Sequence, residues 1–244
     1  MKLIAIPFAG GMGNEFKSWQ VLIDEEVELI TIQYPGRGER KEEPYITEFE
    51  TLLEDIFRQV KAVIADDEEY LLFGHSMGCI FAYELYFKLK ENGYILPKHV
   101  FFSGNFTPKE CLKDEKKSEL VEEKFRDYFM QLGGISMNVL EDEKMSQELF
   151  KRLRCDVCAL ESYIYKPREE QIECNVSVLN GMQDYFVSSQ LSWEKILHKT
   201  CIYKCYQGDH FFIFKQKQAV VAYIQEIVLK LKQAPIVYKE VKYI

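Results

Sequence analysis

Tyr70-Leu71-Leu72-Phe73-Gly74-His75-Ser76-Met77-Gly78 is an apolar run that stops at a serine bracketed by two glycines. Tyr70 to Phe73 are strand formers, and after Ser76 come Cys79, Ile80, Phe81, Ala82, Leu85, Phe87 and Leu89, a helical pattern apolar nearly all round and therefore buried. Gly-x-Ser-x-Gly between a strand and a helix describes a turn so tight that the serine backbone is strained and its hydroxyl stands clear of the sheet. Ordinary residue frequencies supply such a five-residue match in a chain this long about one time in ten, so its context carries the weight. Strand, turn and buried helix follow in the order that a nucleophilic serine requires.

Outward from this stretch, the 244 residues, 47% of them hydrophobic, suit one large α/β unit with a sizeable core. A formal net charge of -8 argues against general nucleic-acid or anionic-membrane binding, both of which want an excess of Lys and Arg. The apolar run Leu3 to Ala9 is short for a signal peptide and meets Gly10-Gly11-Met12-Gly13, so it reads as a first strand. No stretch approaches the roughly 20 apolar residues of a membrane span. Seven cysteines, at 79, 111, 155, 158, 174, 201 and 205, show no disulfide framework spacing and read as reduced thiols in a cytoplasmic protein. Cys155-x-x-Cys158 lacks a second pair or a nearby histidine, so neither a metal nor a cofactor is expected.

Lys2 to Pro7 reads as the first strand and residues 8–13 as a glycine-rich loop. Phe16 stands where a dinucleotide fingerprint needs its third glycine, and no Gly-Lys-Ser/Thr follows. The loop is read instead as one whose backbone N–H groups face an oxyanion. Glu28 to Gln33 is a second strand; Thr47 with Glu50 forms a capping box ahead of an amphipathic helix running from Phe49 to Ile64. Asp66 to Glu69 reads as a solvated acidic connection into the serine strand, and His99 to Ser103 as the next strand. The strand-helix alternation then breaks. Val121, Phe125, Tyr128, Phe129 and Leu132 mark one helix ended by Gly133-Gly134; Leu149, Phe150, Leu153, Val157, Leu160 and Ile164 mark another ended near Pro167. Cys174 to Asn180 returns to the sheet, Leu191 to Leu197 is a helix, Thr200 to Tyr206 a last strand, and Val220 to Leu231 a closing helix before Pro235. The expectation is a single domain over 1–244: a mostly parallel sheet flanked by helices from about 1–106 and 172–234, a helical lid insertion at about 107–171, and a tail at 235–244.

A nucleophilic serine needs a base, and the base an orienter. Of four histidines, His75 lies too close to Ser76 along the backbone to reach its hydroxyl, His99 opens a strand, and His198 ends a helix. His210 follows the last strand through Gln207-Gly208-Asp209, on a loop at the carboxyl edge of the sheet where α/β ligands bind. It is the expected base. The expected acid is Asp184, which leaves the strand at Asn180 through Gly181 toward the same edge. Asp209, adjacent to His210, and Asp156, in the helical insertion, are the rivals. The oxyanion donors expected are the backbone N–H of Met77 and one from Phe8 or Ala9.

Seven segments in order resemble the motifs of the type II, or external editing, thioesterases of nonribosomal peptide and polyketide synthetase systems, within the α/β-hydrolase superfamily. They are Pro7-Phe8-Ala9-Gly10-Gly11, Tyr34-Pro35-Gly36-Arg37-Gly38, Phe73 to Gly78, Leu132-Gly133-Gly134, Arg154-Cys155-Asp156, Gly181-Met182-Gln183-Asp184 and Gly208-Asp209-His210-Phe211-Phe212. Cys155 stands where the family more often has Ser or Ala, and Asp209 where Gly is common. The resemblance implies an α/β-hydrolase fold and hydrolysis of acyl thioesters from the phosphopantetheine arm of a carrier protein, by a chain acting as a monomer. The residues alone reach a serine hydrolase with a helical lid, leaving open an esterase or lipase for small oxygen esters, or a silent binding module. Carrier proteins being acidic, a positive patch is sought among Lys151, Arg152 and Arg154.

Overall fold

In the computed structural model of the protein, β3 (Tyr70–His75) lies inside a six-stranded sheet ordered β2-β1-β3-β4-β5-β6, with every neighbouring pair parallel. The structure describes residues 1–64, 68–111, 116–197 and 201–233. The expectations for Asp66, Asp67, His198, Thr200 and the tail from Pro235 fall outside those residues. In chain order the elements are β1 (Lys2–Ile6), α1 (Lys17–Gln20), β2 (Glu28–Thr31), α2 (Phe49–Val63), β3, α3 (Met77–Glu91), β4 (His99–Ser103), α4 (Glu122–Gln131), α5 (Met137–Glu141), α6 (Glu143–Glu161), β5 (Asn175–Gly181), α7 (Gln190–Glu194), β6 (Ile202–Tyr206), α8 (Phe212–Lys215) and α9 (Lys217–Gln233), with short 3-10 turns between some of them.

Why β3 is apolar without alternation follows from its place. Side chains point to opposite faces at successive residues, and both faces are covered by helices. Tyr70 and Leu72 enter a cluster with α2 and α3, whereas Leu71 and Phe73 enter one with Phe16, Trp19, Phe212 and α9. All four are fully buried, and burial of each contributes about 1.5–3 kcal/mol. The helix α3 after the serine packs on the same sheet with twelve of its fifteen residues buried, as its nearly all-round apolar pattern requires.

Three helices, α4 to α6, interrupt the alternation between β4 and β5. They carry a small core of their own, Phe125, Phe150, Leu153 and Val157. Several local expectations change here. Val121 precedes α4 and is 65% exposed, and Ile164, placed in the second helix by its spacing, lies beyond the end of α6 at 75% exposure. The helix stops at Glu161 because Ser162 turns its hydroxyl back to Ala159 C=O (2.7 Å) and Tyr163 swings inward to donate to Glu84 (2.6 Å). The Thr47–Glu50 capping box does not form. Glu48 occupies the cap position without a side-chain bond, and Phe49 N–H donates instead to Ser162 Oγ at 2.8 Å. A tertiary partner thus satisfies the orphan donor that a local cap would have taken.

Candidate active site

Ser76 has φ 54° and ψ -122°, the one non-glycine residue at positive φ among the described residues. Such a conformation costs of order 1–3 kcal/mol and persists only where its surroundings enforce it. Here Ser76 N–H donates to Ser103 C=O (2.8 Å), while Ser76 C=O accepts Cys79 N–H (2.8 Å) and Asn105 Nδ2 (2.6 Å). The flanking glycines are required by space. A Cβ on Gly74 would stand 2.3 Å from Gly78 O, and one on Gly78 would stand 2.2 Å from Ile6 O. Strand, serine and helix are therefore packed backbone against backbone, and the half-buried serine side chain is left at the carboxyl end of the sheet.

At that edge the loops after β5 and β6 meet. His210 Nδ1 lies 3.1 and 3.0 Å from the two carboxylate oxygens of Asp184, both residues being buried. Asp184 Oδ1 also accepts Phe186 N–H at 2.9 Å, which holds the carboxylate against the ring. Neither rival acid is in place to do this. Asp209 turns away to pair with Lys215 Nζ at 2.5 Å, and Asp156 is engaged by Arg37. Ser76 and His210 line one cavity of about 790 Å³, with no hydrogen bond between them. Its walls are largely apolar, with Phe8, Phe211 and Phe214 from the sheet side and Phe129, Leu149 and Leu153 from the inserted helices.

The other described histidines are buried and hydrogen-bonded to serines other than Ser76. His75 Nδ1 lies 3.0 Å from Ser103 Oγ, and burial, reinforced by the neighbouring His210, holds its pKa well below the usual imidazole value. His99 Nε2 lies 2.8 Å from Ser177 Oγ, and burial lowers its pKa to about 4. Among the described residues the backbone N–H groups of Phe8, Ala9 and Met77, from which the oxyanion donors are expected, donate to no protein acceptor. Met77 opens α3, so its N–H also carries the positive end of that helix.

Reading the sequence missed one cluster. Arg37, from the loop after β2, donates from Nη1 and Nη2 to both oxygens of Asp156 on α6 (2.6 and 2.5 Å), with both side chains 2% exposed. Its signal was present in the two motifs that contain these residues, but 119 positions separate them and nothing local pairs them. Of the three basic residues sought as a positive patch, two are tied into the fold. Arg152 Nε donates to Gly10 C=O at 2.8 Å; Arg154 donates to Ser118 and Leu120 C=O (2.6 and 2.8 Å), pairs with Glu122 and stacks on Phe125. Lys151 stands exposed over Tyr45. All seven cysteines are free. Among the described residues no group of His, Cys, Asp and Glu side chains is assembled to hold a metal, and no helix is long and apolar enough to cross a membrane.

The chain and its fold are similar to known proteins. The chain is 30% identical over 226 residues to the gramicidin S biosynthesis protein GrsT of Aneurinibacillus migulanus, covering 92% of this chain and 87% of that one. Its fold matches the thioesterase RedJ of the prodiginine pathway in Streptomyces coelicolor with a TM-score of 0.84 at 27% identity, over 92% and 89% of the two chains. ClbQ of the colibactin pathway superposes with a TM-score of 0.89 at 24% identity, over 95% and 98%, a likeness of fold. These are α/β-hydrolase folds, as the parallel sheet and strained serine turn led one to expect. A thioesterase domain model matches residues 1–228, and the chain belongs to the thioesterase family.

Proposed function

We propose that this thioesterase hydrolyses acyl thioesters presented on the phosphopantetheine arm of a carrier protein, and so edits or regenerates a nonribosomal peptide or polyketide synthetase. The observation that carries the reading is the Asp184–His210 contact beside a strained serine on the wall of an apolar cavity. Ser76 Oγ attacks the thioester carbonyl while His210 accepts its proton at Nε2. The tetrahedral oxyanion is met by Met77 N–H and by Ala9 or Phe8 N–H; one such donor lowers the barrier by about 2.7–4 kcal/mol. Collapse breaks the C–S bond, and the imidazolium returns its proton to the departing thiolate. His210 then takes a proton from water, whose oxygen attacks the acyl-serine, and the carboxylic acid leaves with Ser76 Oγ reprotonated. Asp184 holds the ring tautomer with Nδ1–H toward the carboxylate and stabilises the imidazolium.

In this reading residues 1–106 and 172–234 form the core and 107–171 a lid over an acyl chamber. The arm enters beneath α4 and α6, and their apolar walls favour an acyl chain over a water-filled site. The protein works as a cytoplasmic monomer, consistent with its free thiols. The test is mass spectrometry of acylated carrier proteins before and after incubation, alongside a matched oxygen ester. Faster cleavage of the carrier-bound thioester is expected; a strong preference for the oxygen ester would overturn the reading.

A further inference from the structure

The turn that leaves β1 is tied down at Phe8 C=O and at both polar backbone groups of Gly10 and Gly11. Phe8 C=O accepts Gly11 N–H (3.0 Å) and Gly11 C=O accepts Arg37 Nη1 (3.1 Å). Gly10 is held from both sides by α6: its N–H donates to Asp156 Oδ2 (2.6 Å), and its C=O accepts Arg152 Nε (2.8 Å). Gly10 has φ 78°, and a Cβ there would stand 3.1 Å from Leu153 Cδ1, so the turn fits α6 closely. Next in the chain to this clamped residue is Ala9, whose N–H has no protein acceptor among the described residues.

We propose that Asp156, itself fixed by Arg37, is a positioning residue that aims Ala9 N–H at the reacting carbonyl, so that the oxyanion hole is complete only while α6 is seated on the turn. This deepens the function proposed above and rests on Ser76 being the nucleophile. Two facts make the link specific. Asp156 Oδ2 receives Gly10 N–H and Arg37 Nη1 together, so the carboxylate that orients the turn cannot rotate without breaking its ion pair. The same helix lines the acyl cavity through Met145, Leu149 and Leu153. An acyl chain that packs against α6 therefore presses on the element that holds the donor. A hydrogen bond that is preorganised toward developing charge acts on the transition state and leaves ground-state binding unchanged.

The experiment compares the wild type with Asp156→Asn and with the double variant Arg37→Met/Asp156→Leu. Replacing a buried pair by apolar residues of similar volume commonly preserves the fold. On an acyl-carrier thioester kcat is expected to fall roughly 10- to 100-fold, less than the about 10²–10³ of a donor removed outright, with KM little changed. Affinity for an alkylboronic acid, whose tetrahedral adduct places an oxygen in the hole, should fall by the same factor, and affinity for the non-hydrolysable amide analogue of acyl-pantetheine should hold. Equal losses in both affinities, or an unchanged kcat, would overturn the proposal. Ser162→Ala severs another tie, at the end of this helix, to Phe49 N–H, and is expected to lower Tm while leaving kcat intact. A comparable loss of kcat there would mean general loosening and would also overturn the assignment. Boronate binding that disappears in Ser76→Ala establishes the nucleophile separately, so a failed clamp and a failed nucleophile give different results.

Discussion

His75 lies against His210 with ring centroids 5.0 Å apart and planes tilted by 35°. One ring is the proposed base and the other is buried completely beside Ser76. A charge on His75 would oppose the imidazolium that the mechanism forms on His210, and burial keeps His75 neutral.

That neutrality has a cost in acid. A histidine whose folded pKa is depressed contributes stability that is present above its unfolded value, about 6.5, and lost as pH falls toward the folded one. His99, held at about 4, and His75, held well below the usual value, both act in this direction. Unfolding free energy from urea titrations should therefore decline between about pH 6.5 and 4, by on the order of 3 kcal/mol from His99 alone. His99→Asn should flatten part of that decline; an identical pH slope in the variant would count against it.

The two acidic neighbours of His210 separate cleanly by substitution. Asp184→Asn leaves the shape but presents the wrong partner to Nδ1 and should lower kcat by about 10⁴. Asp209→Asn removes a half-exposed pair with Lys215, worth about 0–1 kcal/mol of stability, and should leave kcat near wild type. Turnover that survives the first change and not the second would reverse the assignment.

Gly78 admits no side chain. Its Cβ would meet backbone oxygen Ile6 O at 2.2 Å, and backbone on both sides cannot give way as a flexible side chain does. Gly78→Ala should destabilise the protein by about 1–3 kcal/mol or more, read as a fall in Tm, and should also reduce fluorophosphonate labelling of Ser76 by displacing the serine turn.

Under the proposed function, the cavity wall is expected to limit acyl length. Leu149→Trp, projecting from α6 into the chamber, should leave hydrolysis of an acetyl thioester little changed while reducing kcat/KM for long acyl chains by about tenfold or more, in line with about 1–3 kcal/mol per misfitted methylene. Parallel assays over a series of chain lengths decide it, and a uniform loss at every length would refute the assignment of this wall.

Much of this site is legible from local chemistry. The apolar run into Gly74 and the buried helix after Ser76 predict strand, turn and helix because both faces of an inner strand and most of a core helix must be apolar. Asp184 and His210 follow from strand ends, since loops after parallel strands all open at one edge. What the sequence by itself determined is thus the order of elements and the residues brought to the carboxyl edge. Only the tertiary structure decided that Asp184 and not Asp209 meets the imidazole, that Ser162 replaces the Thr47 cap, that Arg152 reaches the turn after β1 and that Arg154 bonds within the inserted segment. It alone joined Arg37 to Asp156 and Asp156 to Gly10, 119 and 146 positions apart. Periodicity reports which face of an element is buried; which polar groups meet across the interior depends on how those elements pack, and no local pattern encodes that.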